Sequence, residues 1–126
     1  VVKFFAEGIE ELRAFAEAQF SMSFPIGDGG VSEREHLLKM AEQHDIVDPR
    51  LLVQLPIDMA GYWNYYCLLS QGRSSDKPIT YTDIVSFCQL YGLRFSIYTI
   101  HVIKELDVLW LDMQSKNMRE RMRKNG

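Results

Sequence analysis

Histidines, cysteines and carboxylates are the side chains through which this chain could do chemistry, and their spacing leaves little for them to do. His36 and His44 stand eight residues apart. On a helix that is about two turns, too far for one metal ion. His101 has no partner nearby in sequence, and one histidine does not make a site. Cys67 and Cys88 lack the Cys-x-x-Cys or Cys/His spacing of zinc sites. Each falls among aromatic residues, so both are expected to be small buried hydrophobes in a reducing compartment. Gly27-Asp28-Gly29-Gly30 resembles a phosphate cradle only superficially, having neither a preceding strand nor a Gly-Lys-Ser/Thr ending. There is no Ser/His/Asp, Cys/His or paired-carboxylate arrangement. The expectation is therefore no catalytic residue, no metal ligand and no cofactor, and a protein that is not an enzyme.

Asp107 is the carboxylate that calls for an explanation. It lies four residues after Ile103 and three before Trp110, on or beside an apolar helical stripe. Burying an unpaired carboxylate is costly. Arg94 or Lys104 is the expected partner, in an ion pair that fixes the angle between two helices.

Those two helices organise the chain. Pro78–Leu111 reads as a helix, a turn and a second helix. Ile84, Val85, Phe87, Cys88 and Tyr91 share one face of the first. Gly92 can take the positive φ that ends it. Ser96 can cap the second, along which Ile97, Ile100, Ile103, Leu106 and Trp110 recur at helical spacing. Thr80 or Thr82 would start the first.

The rest of the chain either covers these stripes or leaves them for a partner. Residues 3–20 form an amphipathic helix, with Phe4, Phe5, Ile9, Leu12, Phe15, Ala16 and Phe20 near one face and Gly8 weakening it locally. Residues 21–31 read as a loop broken by Pro25 and three glycines. Ser32-x-x-Glu35 is a capping box opening a helix to His44, whose stripe is Leu37, Leu38 and Ala41. Asp48-Pro49 starts a short helix. Another runs from about Ile57 to Ser70 and carries Met59, Tyr62, Trp63, Tyr66 and Cys67. No arginine or lysine interleaves with Tyr62, Tyr65 and Tyr66, so core packing is expected there rather than base stacking. Residues 71–77 are a polar loop. No strand pattern appears, and the predicted fold is all-α, one compact domain of five or six helices.

Composition agrees. A chain of 126 residues, 47% hydrophobic and 25% charged, suits one soluble globular domain. Net charge is −3 but unevenly spread. Residues 113–126 hold five cations against Glu120, a net +4, and residues 1–112 hold nine basic and sixteen acidic residues, a net −7. The expected division is a helical domain over 1–112 and a basic helix end or tail over 113–126, its cations suited to the helix dipole. Neither a signal peptide nor an apolar run near 18 residues is present, so no membrane association is expected. The chain opens Val1-Val2 without methionine, and residues upstream are expected.

Several short matches resemble the small tail assembly chaperones of long-tailed bacteriophages. They are Trp63 on a helix, Arg73 in a loop, Pro78-Ile79 with Ile84, Leu90 with Gly92, Arg94 and Ser96, then Ile103, Leu106-Asp107 and Trp110-Leu111. They span about the second half of the chain. Where relatives open the last helix with Pro-Trp-Glu, this chain has Ile97-Tyr98-Thr99, keeping an aromatic and losing a carboxylate.

The resemblance implies a non-enzymatic protein of the bacterial host cytoplasm. It would bind the tape measure protein, or another tail component, before the tail tube polymerises. A tape measure is a long helical chain whose apolar stripes aggregate unless covered. Candidate partner contacts are Phe4, Phe5, Phe15, Tyr62, Tyr65 and Tyr66; Trp63, Gly92, Arg94, Asp107 and Trp110 are expected to be structural. The family also implies a longer form made by frameshifting, for which Lys116-Asn117 or Lys124-Asn125 could mark the slippery run. Self-association is left open.

Two other readings compete. Residues 83–103 have nearly the layout of a DNA-binding helix-turn-helix. The would-be recognition helix, however, has only Arg94 and Lys104 as nearby cations, which argues against nucleic acid. The other reading is a structural head-to-tail joining subunit, which would assemble into a ring.

Overall fold

The computed structural model describes residues 2–27, 30–73 and 76–125, with side chains from 5 to 124 within those ranges. Asp28, Gly29, Ser74 and Ser75 of the two loops, and the side chain of Phe4, lie outside the described residues. Five α-helices are found among the described residues: α1 (Val2–Ser23), α2 (Glu33–His44), α3 (Ala60–Gln71), α4 (Tyr81–Tyr91) and α5 (Ile97–Asn125). Short 3-10 turns at Pro49–Leu52 and Ile57–Met59 link α2 to α3. The fold is all-α.

α5 is the spine, and α1 and α3 pack along it. Leu12, Ala16 and Phe20 recur every four residues on α1 and are buried. They meet Val102, Ile103, Leu106 and Leu109 of α5, with Met59, Tyr66, Leu69, Ile84 and Phe87 completing the core. Gly8, which looked like a weak point of α1, has a packing role. A Cβ there would stand 2.3 Å from Met59 Cε, so its absence lets the buried thioether rest against the helix.

α1 runs through Ser23, three residues into the loop predicted from position 21. Met22 is fully buried, which offsets the cost of extending the helix. The hydroxyls of Ser21 and Ser23 donate to the carbonyls of Ala18 and Phe20, at 2.9 and 2.7 Å. Pro25 then pairs with Ser32 in an isolated antiparallel bridge.

α2 is capped by Ser32 Oγ, which accepts from the Glu35 N–H at 3.2 Å. All its residues stay at least partly exposed, so the stripe expected at Leu37, Leu38 and Ala41 is only half-covered, with Leu38 exposed. Ionic contacts hold it instead. Arg50 joins Glu33 at 2.5 Å and Asp48 at 3.1 Å, and donates to Ser21 Oγ at 3.2 Å. These two carboxylates push the Arg50 guanidinium's pKa up, foremost through the Asp48 hydrogen bond.

Of the two threonines able to start α4, Thr80 does so. Its Oγ1 accepts from the Asp83 N–H at 3.1 Å, and the Asp83 carboxylate accepts from the Thr80 N–H at 2.8 Å. Gly92 ends α4 at φ 64°, and the Leu93 N–H reaches the Cys88 carbonyl at 2.9 Å. Ser96 Oγ accepts from the Thr99 N–H at 3.2 Å to begin α5. α5 then continues without a break through the basic segment to Asn125.

The Thr80 N–H holds the Asp83 carboxyl below its ordinary value of 3.8. A carboxyl depressed in the folded state contributes stability above its unfolded pKa and loses it as pH falls through the folded one. Thr80→Ala is expected to cost about 1 kcal/mol. Asp83→Ala should destabilise at neutral pH and much less in acid well below 3.8. Urea unfolding at the two pH values checks both.

Candidate functional site

The interior polar site is built around Asp107, which is 2% exposed on α5. Its partner is Arg73, in the connection after α3, and not Arg94 or Lys104 as the sequence suggested. Arg94 precedes the first turn of α5, about 15–20 Å back along the axis from Asp107. Lys104 turns aside: its Nζ donates to the Ile79 carbonyl at 2.6 Å and lies 4.7 Å from the centre of the Tyr81 ring.

Asp107 Oδ1 accepts from Arg73 Nη2 and from the Tyr66 hydroxyl, the latter at 3.2 Å. Oδ2 accepts from the backbone N–H of Ile79 at 2.8 Å. Arg73 Nη2 also donates to the Tyr66 oxygen at 2.8 Å, and Nε to Ser70 Oγ at 3.2 Å. One carboxylate therefore ties α5 to α3, to the connection after it and to the segment entering α4. Burial, foremost, pushes the Tyr66 phenol's pKa up, which keeps it a protonated donor. These are the attributes of a structural clamp. Among the described residues no three His, Cys, Asp or Glu side chains converge as a metal site, and His36, His44 and His101 are exposed.

The aromatic candidates divide into three groups. Phe5 is half-buried, edge-on to Tyr62 and Tyr98 with centroids 6.3 and 5.8 Å apart. Phe15 lies edge-on to Trp63 at 5.2 Å; Trp63 and Trp110 both pack against Phe20, and Trp110 stacks on Phe24. Tyr65 packs against Phe87 and Phe95, at 6.2 and 4.8 Å. Tyr66 is corrected as a surface contact: at 2% exposure, its ring and hydroxyl are both committed to the interior.

Open apolar grooves are found among the described residues. One, of about 330 Å³, runs between α1, α3 and α5 beside Phe20, Trp63, Cys67 and Trp110. Another, of about 280 Å³, is lined by Ile84, Val85, Cys88, Leu93, Phe95 and Ile100, with Gln89 and Arg94 as its polar members. Val85, which lines it, is more than half exposed; elsewhere on α4 and at the start of α5, Leu90 is 84% exposed, Ile97 67%, and Tyr91 more than half. Sequence periodicity placed Val85, Tyr91 and Ile97 on apolar stripes to be covered by the chain or by a partner. In the structure α4 buries only Ile84 and Phe87, and the chain leaves the other side of the helix uncovered. Leu90, Leu93 and Phe95 went unassigned as surface residues. The signal for them is that apolar residues surround more of α4 and its turn than one packed face can hold.

Removing one member of the buried pair strands the other. Asp107→Leu is expected to lose about 3–5 kcal/mol. Adding Arg73→Met should recover part of that, the Ile79 N–H and the Tyr66 hydroxyl still lacking an acceptor. Denaturant unfolding of the two single variants and the double measures the coupling.

The residues that make the clamp and the second groove fall together in a comparison with known families. Residues 40–112 match the model of a phage tail assembly chaperone family. That span runs from late α2 through most of α5 and contains Trp63, Arg73, Gly92 and Asp107. Neither a curated protein nor a solved structure matches the chain. The family match covers more than half of the residues, and on it the chain belongs to the phage tail assembly chaperones.

Proposed function

We propose that this chaperone binds the tape measure protein in the host cytoplasm, keeps it soluble, and releases it as the tail tube polymerises around it. The role is one of assembly and involves no catalysis. The observation that carries the reading is the mainly apolar groove beside α4, lined by the exposed Val85, together with the exposed apolar residues Leu90, Tyr91 and Ile97 elsewhere on α4 and at the start of α5. A soluble chain that exposes apolar side chains around a groove is suited to covering an amphipathic helix. The client would insert the apolar residues of successive turns between α4 and the start of α5. Burying one leucine- or isoleucine-sized side chain contributes about 1.5–3 kcal/mol, so a few contacts suffice for reversible holding. The half-buried rings of Phe5, Phe15, Tyr62 and Tyr65 would extend the contact, with residues 1–112 as the client-holding body and 113–126 as its basic extension. The surface near the α4–α5 turn is mainly apolar, which favours a protein client over the phosphates of DNA.

Co-expression with the tape measure protein is the test. The tagged chain is expected to bring its client into the soluble fraction and to co-purify with it. Val85→Asp combined with Leu90→Asp should abolish that while leaving the helical content and unfolding midpoint close to wild type, because both side chains are exposed. An insoluble client with the unaltered chain, or full binding by the double variant, would overturn the reading.

A further inference from the structure

Arg73 occupies the place beside Asp107 that sequence offered to Arg94, and Arg94 lines the groove beside α4 instead. It is exposed there. Among the described residues, the ion pairs formed are those of Arg50 and Arg73. The Arg94 charge is therefore uncommitted.

Carboxylates are withheld from this surface. Residues 1–112 carry a net −7, yet residues 84–104 contain no Asp or Glu. Asp83 stands at the other end of α4, where its carboxylate accepts from the Thr80 N–H at 2.8 Å. The first turn of α5 holds no acidic residue. Glu105, further along α5, lines a crevice against α1 together with Arg13. Lys104, the other cation of the stretch, is committed to the Ile79 carbonyl and the Tyr81 ring. An acidic body thus presents a groove whose lining is apolar apart from Gln89 and Arg94.

The apolar walls attract without direction. Val85, Leu93, Phe95 and Ile100 would receive an apolar helical stripe in more than one register, because burial is non-directional. A charge at the edge of the groove removes that freedom. Sliding a helix by one turn moves its side chains about 5.4 Å, which takes a carboxylate out of reach of the guanidinium. We propose that the segment held here is an acidic amphipathic helix, with an Asp or Glu three or four residues from the apolar side chains it buries, and that Arg94 pairs with this carboxylate. The pair sets the register of the client. A lysine or arginine at the same place is turned away, since juxtaposed like charges oppose docking. The proposal rests on the client reading above and adds to it the charge of the segment.

Peptides of about 30 residues, about 45 Å long when helical, are tiled across the tape measure protein. Their binding to the full chain is followed by fluorescence anisotropy. Those that bind are expected to carry a carboxylate one turn from their apolar stripe, and to bind Arg94→Glu about tenfold more weakly. Arg94→Lys keeps the charge and should lose much less. Exchanging the peptide's carboxylate for lysine should weaken binding to the unaltered chain and restore binding to Arg94→Glu, a recovery that a merely structural arginine does not predict. Equal binding by Arg94→Glu overturns the proposal. So do bound peptides without an acidic residue beside the stripe, a swapped pair that does not recover, or the absence of any bound peptide. In each of these cases a client that still co-purifies on co-expression leaves the chaperone reading standing, whereas an insoluble client overturns both. Should Arg94→Glu not fold by circular dichroism, the composition of the bound peptides and the effect of their lysine exchange on the unaltered chain decide.

Discussion

Everything between α3 and α5 depends on one carboxylate that cannot be left alone. Asp107 sits in the interior with Arg73, the Tyr66 hydroxyl and the Ile79 N–H as its donors. Without those groups in place, the buried charge would oppose folding. The requirement acts on geometry. The connection after α3 must bring Arg73 inward, and the segment before α4 must present the Ile79 amide. α4 then starts at Thr80, immediately after that amide, so its direction is set before its own side chains pack. Lys104, holding the Ile79 carbonyl, grips the other side of the same peptide segment. The exposed face of α4 is thus carried on a helix whose origin is pinned at two backbone atoms.

Most of the fold can be read from local chemistry. The Thr80–Asp83 box, Gly92 after Tyr91, Ser96 before Ile97 and the four-residue recurrence on α1 are signals contained within a turn or two of chain. What lay beyond such signals was pairing across distance. Arg73 and Asp107 are 34 residues apart, and no periodicity links them, so nearer cations looked equally apt. How far α4 is covered stayed undecided for a related reason. Val85 and Tyr91 obey helical spacing, but spacing describes a helix and not how many neighbours it has. Whether the chain or a partner covers these residues could not be read from spacing, and the chain leaves them exposed. Met22 and Gly8 show the opposite case, in which a local penalty is outweighed by a tertiary contact that the sequence does not display.

The two halves of the molecule are held by different forces. α1, α3 and α5 share an apolar and aromatic interior, whose contribution varies little with salt. α2 and the segment around Asp48 are secured largely through Arg50, whose carboxylate partners are part-exposed and open to screening. Family membership is carried by residues 40–112, so most of α5 falls within the matched span and α1, which packs along it, falls outside.

The pairing of α1 with α5 also sets an order of events. The first helix finds its neighbour some ninety residues later, Phe20 meeting Trp110 and Leu12 meeting the stretch around Leu106. A ribosome releases the chain from its first residues onward. The stripe of Leu12, Ala16 and Phe20 can meet Met59, Trp63 and Tyr66 first, but its contacts with α5 must wait until residues 98–110 have emerged. Closing so long a loop is entropically late as well as physically late. Until then, the part of the α1 face that belongs to α5 stays open.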